Sequence, residues 1–128
     1  MTQRWQWIIT STGLLIVLLV LAAAARAYDF KKGAYSATAG GVKFSIKFDD
    51  SGRVTILMNG EIVVEGTYKV REDGLEVTDE KGPMACGGDQ KTGKYKWKLE
   101  GKKLTFTKVE DECEGRANAL TSQVWVQE

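Results

Sequence analysis

Histidine is absent from the 128-residue chain. A cysteine nucleophile would therefore have no imidazole base beside it, and zinc would have no imidazole ligand. Cysteine is scarce, with two residues, Cys86 and Cys113, so that only one intramolecular pairing exists. A surplus of charge is also missing: 18 basic residues stand against 17 acidic ones. No electrostatic argument for a nucleic acid partner or an acidic substrate can be built on that balance. The length is that of one domain, and no long uncharged run occurs beyond residue 25.

The uncharged run that does exist, Ile8 to Ala25, dominates the first 27 residues. Arg4 precedes it, Leu14 to Ala25 form its apolar core, and Ala25-Arg26-Ala27 supplies the small-x-small pattern of a signal-peptidase site. Residues 1–27 thus read as a cleavable export signal, and residues 28–128 as the mature domain. A retained membrane anchor is the rival, since about 18 residues can just cross a hydrocarbon core. Thr10, Ser11, Thr12 and Gly13 dilute the first half of the run and favour removal. Membrane contact is expected only through this segment. Without Arg4 and Arg26 the remainder carries roughly 16 basic against 17 acidic groups, about −1 net.

After the leader the pattern has a period of two. Val42 to Phe48, Lys94 to Leu99 and Lys103 to Thr107 alternate apolar and polar residues, as half-buried antiparallel strands do. Asp49-Asp50-Ser51-Gly52, Asn59-Gly60, Glu72-Asp73-Gly74 and Glu100-Gly101 supply the tight turns between them. About eight strands are predicted, at 33–39, 42–48, 53–58, 61–70, 75–79, 94–100, 103–109 and 122–127, with no helix beyond one irregular turn at Asn118-Ala119-Leu120. The fold class is all-β: an up-and-down antiparallel barrel, with a sandwich left open because hairpin patterns do not prove closure.

A repeat with an offset of 27 runs through this meander. Gly66-Thr67-Tyr68-Lys69 recurs as Gly93-Lys94-Tyr95-Lys96, Asp73-Gly74 as Glu100-Gly101, and Cys86 as Cys113. Equivalent positions of successive hairpins are neighbours, so the cysteines are predicted to meet at one rim and, in an oxidising compartment, to form a disulfide.

Around Cys113 the stretch "VEDECEGR" gathers Glu110, Asp111, Glu112 and Glu114. The spacing lacks the rhythm of a calcium loop, and the four acids read as a solvated surface; no metal or other cofactor is expected. Arg116 has two readings: an exposed loop arginine, or a guanidinium that stacks on Trp97 or Trp125 at a closed barrel end and donates to leftover carbonyls there.

Gly33-Ala34-Tyr35 opening the first strand, Thr78-Asp79 closing a middle hairpin, eight consecutive strands and Arg116 before the last strand together resemble the lipocalin-like, or calycin, β-barrels. The Gly-Pro-x-x-Cys stretch ending at Cys86 and the Asp-x-Cys-x-Gly-Arg stretch ending at Arg116 resemble small exported bacterial domains of uncharacterised role. Tyr35 stands where lipocalins usually carry tryptophan, the chain is shorter, and no C-terminal helix follows the strands. These departures bear on whether the barrel is wide enough for a lipocalin-sized ligand.

The inward set expected from the alternation is Tyr35, Phe44, Ile46, Phe48, Val54, Ile56, Met58, Ile62, Val64, Tyr68, Val70, Leu75, Val77, Tyr95, Trp97, Leu99, Leu104 and Phe106. In an eight-stranded barrel such side chains can fill the lumen by themselves. The functional reading is a pocket open at one end, lined by Tyr68, Tyr95, Trp97, Phe106 and Phe44, that holds one small apolar or amphipathic molecule. The expectation is an exported, secreted or periplasmic, non-catalytic binder with no nucleic acid partner. The alternative is a protein-binding module, like the small calycin-type protease inhibitors of bacteria, that uses loops 80–93 and 110–121. Lys94, Lys96 and Lys98 form an outer row that discourages edge pairing.

Overall fold

A computed structural model describes residues 28–128; the predicted leader at 1–27 lies outside the described residues. Eight strands follow in chain order: β1 (Gly33–Ala39), β2 (Val42–Phe48), β3 (Arg53–Met58), β4 (Glu61–Arg71), β5 (Gly74–Lys81), β6 (Thr92–Glu100), β7 (Lys103–Glu110) and β8 (Trp125–Gln127). Each pairs antiparallel with the next, and β8 returns to β1, with Ser36 opposite Val126 and Tyr35 opposite Gln127. The sheet is therefore a closed barrel, not a sandwich, and it presents no free edge along its circumference.

The hairpins form where the sequence supplies the right backbone. Asn59 and Gly60 both have positive φ, 49° and 85°, the combination a two-residue hairpin of the favoured twist requires. One barrel end, the cysteine rim, carries this turn, the β1–β2 turn, the long β5–β6 loop and the β7–β8 connection. The far rim carries the β2–β3, β4–β5 and β6–β7 turns together with the start of the described chain.

Aromatic side chains close the far rim. Phe30 lies 5.1 Å from Phe48 and 5.2 Å from Trp97 between ring centroids, and Phe48 lies 5.0 Å from Tyr68, all edge to face. Their polar ends are satisfied there as well: Tyr68 donates to the Asp49 carbonyl at 2.5 Å and the Trp97 indole to the Glu72 carbonyl at 3.1 Å. Below this plug the interior is filled by Tyr35, Ile46, Val54, Leu75, Val77, Tyr95, Leu104 and Phe106, all buried.

Two departures from strict alternation have physical causes. Ile62, expected inward, is 51% exposed, because the register shifts between Ile56 and Leu57: Ile56 faces Val64 while Leu57 faces Ile62. The extra residue, Val63, is buried beside Val64, as a β-bulge permits. Val70, expected inward, is exposed near the end of β4, beside the β4–β5 turn.

A further departure is a helix, α1 (Glu114–Thr121), where only an irregular turn is expected; β8 is correspondingly shorter than predicted. It buries Arg116, Ala117 and Leu120. With an arginine as one of three inward residues, and only two turns of length, it leaves almost no apolar periodicity to detect.

Candidate functional site

Strand β5 points Leu75, Val77 and Asp79 inward, so the row of apolar side chains ends at the cysteine rim in a carboxylate that is 6% exposed. Burying a charge there is costly unless it is paired. Its partner comes from α1: Arg116 Nη1 lies 3.3 Å from Asp79 Oδ2, both side chains being almost wholly buried.

The stronger partner of Arg116 is Asp111, just past the end of β7. Arg116 Nε donates to Oδ2 at 2.8 Å and Nη2 to Oδ1 at 2.7 Å, a bidentate fork. Nη1 also donates to the Lys91 carbonyl at 2.9 Å and Nη2 to the Gln90 carbonyl at 2.8 Å. Four of the five guanidinium N–H groups are thus hydrogen-bonded within the protein, and Nη1 also faces Asp79 across the ion pair. The Tyr95 hydroxyl donates to Asp111 Oδ2 from inside the barrel.

Disulfide and ion pairs form one unit. Cys86 and Cys113 are bonded, as the repeat predicts, with Cα atoms 6.3 Å apart. The backbone N–H of Cys86 donates to Asp79 Oδ2 at 2.8 Å, and that of Cys113 to Asp111 Oδ1 at 2.9 Å. Each cysteine is therefore held by one of the two aspartates that flank Arg116.

The electrostatic balance follows from this geometry. Burial disfavours the Asp111 carboxylate, yet the hydrogen bonds from Arg116, Tyr95 and the Cys113 N–H outweigh it and hold its carboxyl below the usual range. Burial likewise works against the Arg116 charge, and Asp111 and Asp79 more than restore it. Burial, reinforced by the adjacent Asp111 carboxylate, pushes the Tyr95 phenol up.

Beside this network an apolar cavity of about 160 Å³ opens at the cysteine rim. Phe44, Val63, Val64, Met84, Leu120 and Trp125 supply its apolar walls, while Asp79, Arg116 and the disulfide lie at its polar side. The barrel lumen proper retains only a void of about 10 Å³, which adjoins the cavity through Ile56, Asp79, Arg116 and Leu120. Such a void holds at most a single water.

The structure distributes the five aromatics singled out in the sequence. Tyr68 and Trp97 belong to the far-rim plug, Tyr95 and Phe106 pack in the interior with centroids 6.4 Å apart, and Phe44 alone lines the cavity. Arg116 and Trp125 do meet at one barrel end, both lining the cavity. The expected stacking between them is replaced: no cation–π pair is found among the described residues, Arg116 is spent on carboxylates and carbonyls, and the Trp125 indole donates to the Leu120 carbonyl at 3.2 Å. Arg116 also donates to the Gln90 and Lys91 carbonyls.

One further expectation is corrected. Asp111 is not a solvated acid but 8% exposed, unlike its neighbours Glu110, Glu112 and Glu114. Loop 87–93 is anchored on both sides, by the disulfide at Cys86 and at Lys91, whose carbonyl accepts from Arg116 and from the Asp79 N–H.

Asp79 and Gly93 escape a composition-based reading of the site. A carboxylate in phase with Leu75 and Val77 is the signal for the first; for the second, a glycine inside an otherwise alternating strand marks a close approach. No protein-family model, curated protein or solved structure matches the chain. Among the described residues no helix is long and apolar enough to cross a membrane.

Proposed function

We propose that this chain is an exported, non-catalytic, lipocalin-like binding protein that takes one small apolar or amphipathic molecule at the cysteine rim. The observation that carries the reading is the apolar cavity of about 160 Å³ beside α1, in a barrel whose lumen is otherwise filled. Apolar space near this size accepts a benzene-sized guest. The ligand is accordingly smaller than the elongated molecules a wide barrel would enclose. The disulfide supports export, since such bonds persist in oxidising compartments, and the leader at 1–27 supplies the route. A non-catalytic role is supported by the site itself: its one cation is held by two carboxylates and two carbonyls, and among the described residues no nucleophile stands beside a base.

The test is Ala119→Trp. Ala119 is exposed and lines the cavity, so an indole there occupies the space without disturbing the barrel. Binding of toluene, followed by ligand-observed NMR, should fall at least tenfold while the melting temperature holds. Unchanged binding would sink the reading.

One observation favours the alternative of a protein-binding module. Met84 in the cavity wall and Ile62, next in sequence to the wall residue Val63, are each more than half exposed, and the Met84 N–H donates to the Val63 carbonyl at 3.0 Å. Exposed apolar side chains on a disulfide-braced rim suit a protein partner. Ile62→Glu, outside the cavity walls, would weaken such a partner while leaving toluene binding in place.

A further inference from the structure

The cavity presents one unspent polar function, and it is an acceptor. Asp79 Oδ2 receives the Cys86 N–H and faces Arg116, whereas Oδ1 takes no hydrogen bond from the described residues. No side-chain nitrogen or oxygen among the described residues is both sealed from solvent and unpartnered. Asp79 Oδ1 therefore keeps open space in front of it, and the space Asp79 lines is the cavity and the small void joined to it. Arg116, the cation on the same wall, has four of its five N–H groups in hydrogen bonds, and its Nη1 lies 3.3 Å from Asp79 Oδ2.

Charge points the same way. Asp79 and Asp111 carry two formal negative charges against the single positive charge of Arg116, in a setting where all three side chains are nearly inaccessible. A bound carboxylate or phosphate would meet an excess of negative charge. An ammonium group would find free lone pairs and a compensating charge. The remaining walls are apolar and enclose a volume suited to a ring or a short branched chain.

We infer that the ligand of the cysteine-rim cavity is a small primary amine with a compact apolar body, its ammonium group donating to Asp79 Oδ1. This rests on the cavity being the ligand site, and the experiment separates the two. Toluene, benzyl alcohol, benzylamine and benzoate share one ring and differ in the head group. Each is titrated at neutral pH into the intact, oxidised protein, and binding is read from the indole N–H resonance of Trp125, which lines the cavity. Benzylamine should bind about tenfold more tightly than toluene, with benzyl alcohol between them and benzoate weakest.

Asp79→Asn should cancel the preference for the amine while toluene still binds. If that variant does not fold, the wild-type ranking decides, together with Ala119→Trp, which should abolish amine binding. Amine binding that survives Ala119→Trp reports a surface carboxylate and overturns the inference. Toluene binding equal to or tighter than benzylamine overturns this inference alone. Binding by none of the four overturns it together with the cavity reading.

Discussion

Gly93 lies so close to the Asp111 carboxylate that a side chain of any size would enter it. A Cβ built on Gly93 would sit 2.7 Å from Asp111 Cγ and 3.1 Å from Arg116 Nε. The backbone of Gly93 is not in the left-handed region, so it is the space and not the conformation that demands glycine. Strand interiors ordinarily lose stability by carrying glycine. Here the glycine vacates the position into which the buried ion pair fits.

Gly93→Ala should therefore destabilise the protein by about 1–3 kcal/mol, the usual cost of overpacking. Gly115→Ala is the matching control: nothing lies within 4 Å of its Cβ position, in α1, and alanine favours a helix over glycine by about 0.5–1 kcal/mol. The urea midpoint should fall in the first variant and hold or rise in the second. A neutral Gly93→Ala would mean that Asp111 can move away at no cost.

The disulfide closes a loop of 27 residues. On the chain-entropy model that loop stabilises the fold by about 3–4 kcal/mol. It also orders the two backbone N–H groups that hydrogen-bond Asp79 and Asp111. Reduction, or the double variant Cys86→Ser with Cys113→Ser, should lower the melting temperature by about 15–25 °C. A drop of only a few degrees would show that the network of Arg116 holds the rim together unaided.

The parts of the fold legible in the sequence are those in which one local rule decides the outcome. Val42 to Phe48 alternates because β2 has one face inside and one outside, and Asn59-Gly60 turns because both residues accept positive φ. The repeat located the disulfide because residues 27 apart occupy equivalent places on successive hairpins. The site was harder to read because its residues contradict composition. Asp79, Asp111 and Arg116 are buried, although charge taken alone argues for the surface. Only their mutual pairing makes burial affordable, and pairing across β5, β7 and α1 is a tertiary fact. The cavity is likewise a product of where α1 sits, and α1 left no apolar period.

Acid should weaken the rim first. The Asp111 carboxyl is held below its ordinary value in the folded protein, so the folded state binds fewer protons than the unfolded chain as pH approaches that value. Its contribution is complete above the unfolded carboxyl pKa of about 4 and fades as pH falls through the lower folded one. Asp49, lowered by the N–H of Arg53 and the hydroxyl of Ser51, acts in the same direction at the far rim. Urea midpoints should be level from about pH 7 to pH 5 and decline below pH 4. Asp111→Asn should be less stable at neutral pH and show a shallower decline, and parallel curves for the two proteins would remove Asp111 from the account.

Arg116→Lys asks whether charge or geometry holds the site. Lysine keeps the positive charge, but a single ammonium has three donors and no planar fork. It cannot reach both oxygens of Asp111, Asp79 and the carbonyls of Gln90 and Lys91 at once, as the guanidinium does. If charge alone mattered, the variant would be nearly neutral. Because the pair is buried and four of the five N–H groups are hydrogen-bonded, the expected loss is close to that of breaking a buried ion pair, about 3 kcal/mol or more. Hydrogen exchange locates the damage as well as measuring it: protection should fall at the N–H groups of Asp79, Cys86 and Cys113 and persist at Trp97 on the far rim, whose N–H donates to the Asp73 carbonyl at 2.8 Å. Equal losses at both rims would mean that the barrel opens as one unit and that Arg116 stabilises the whole of it.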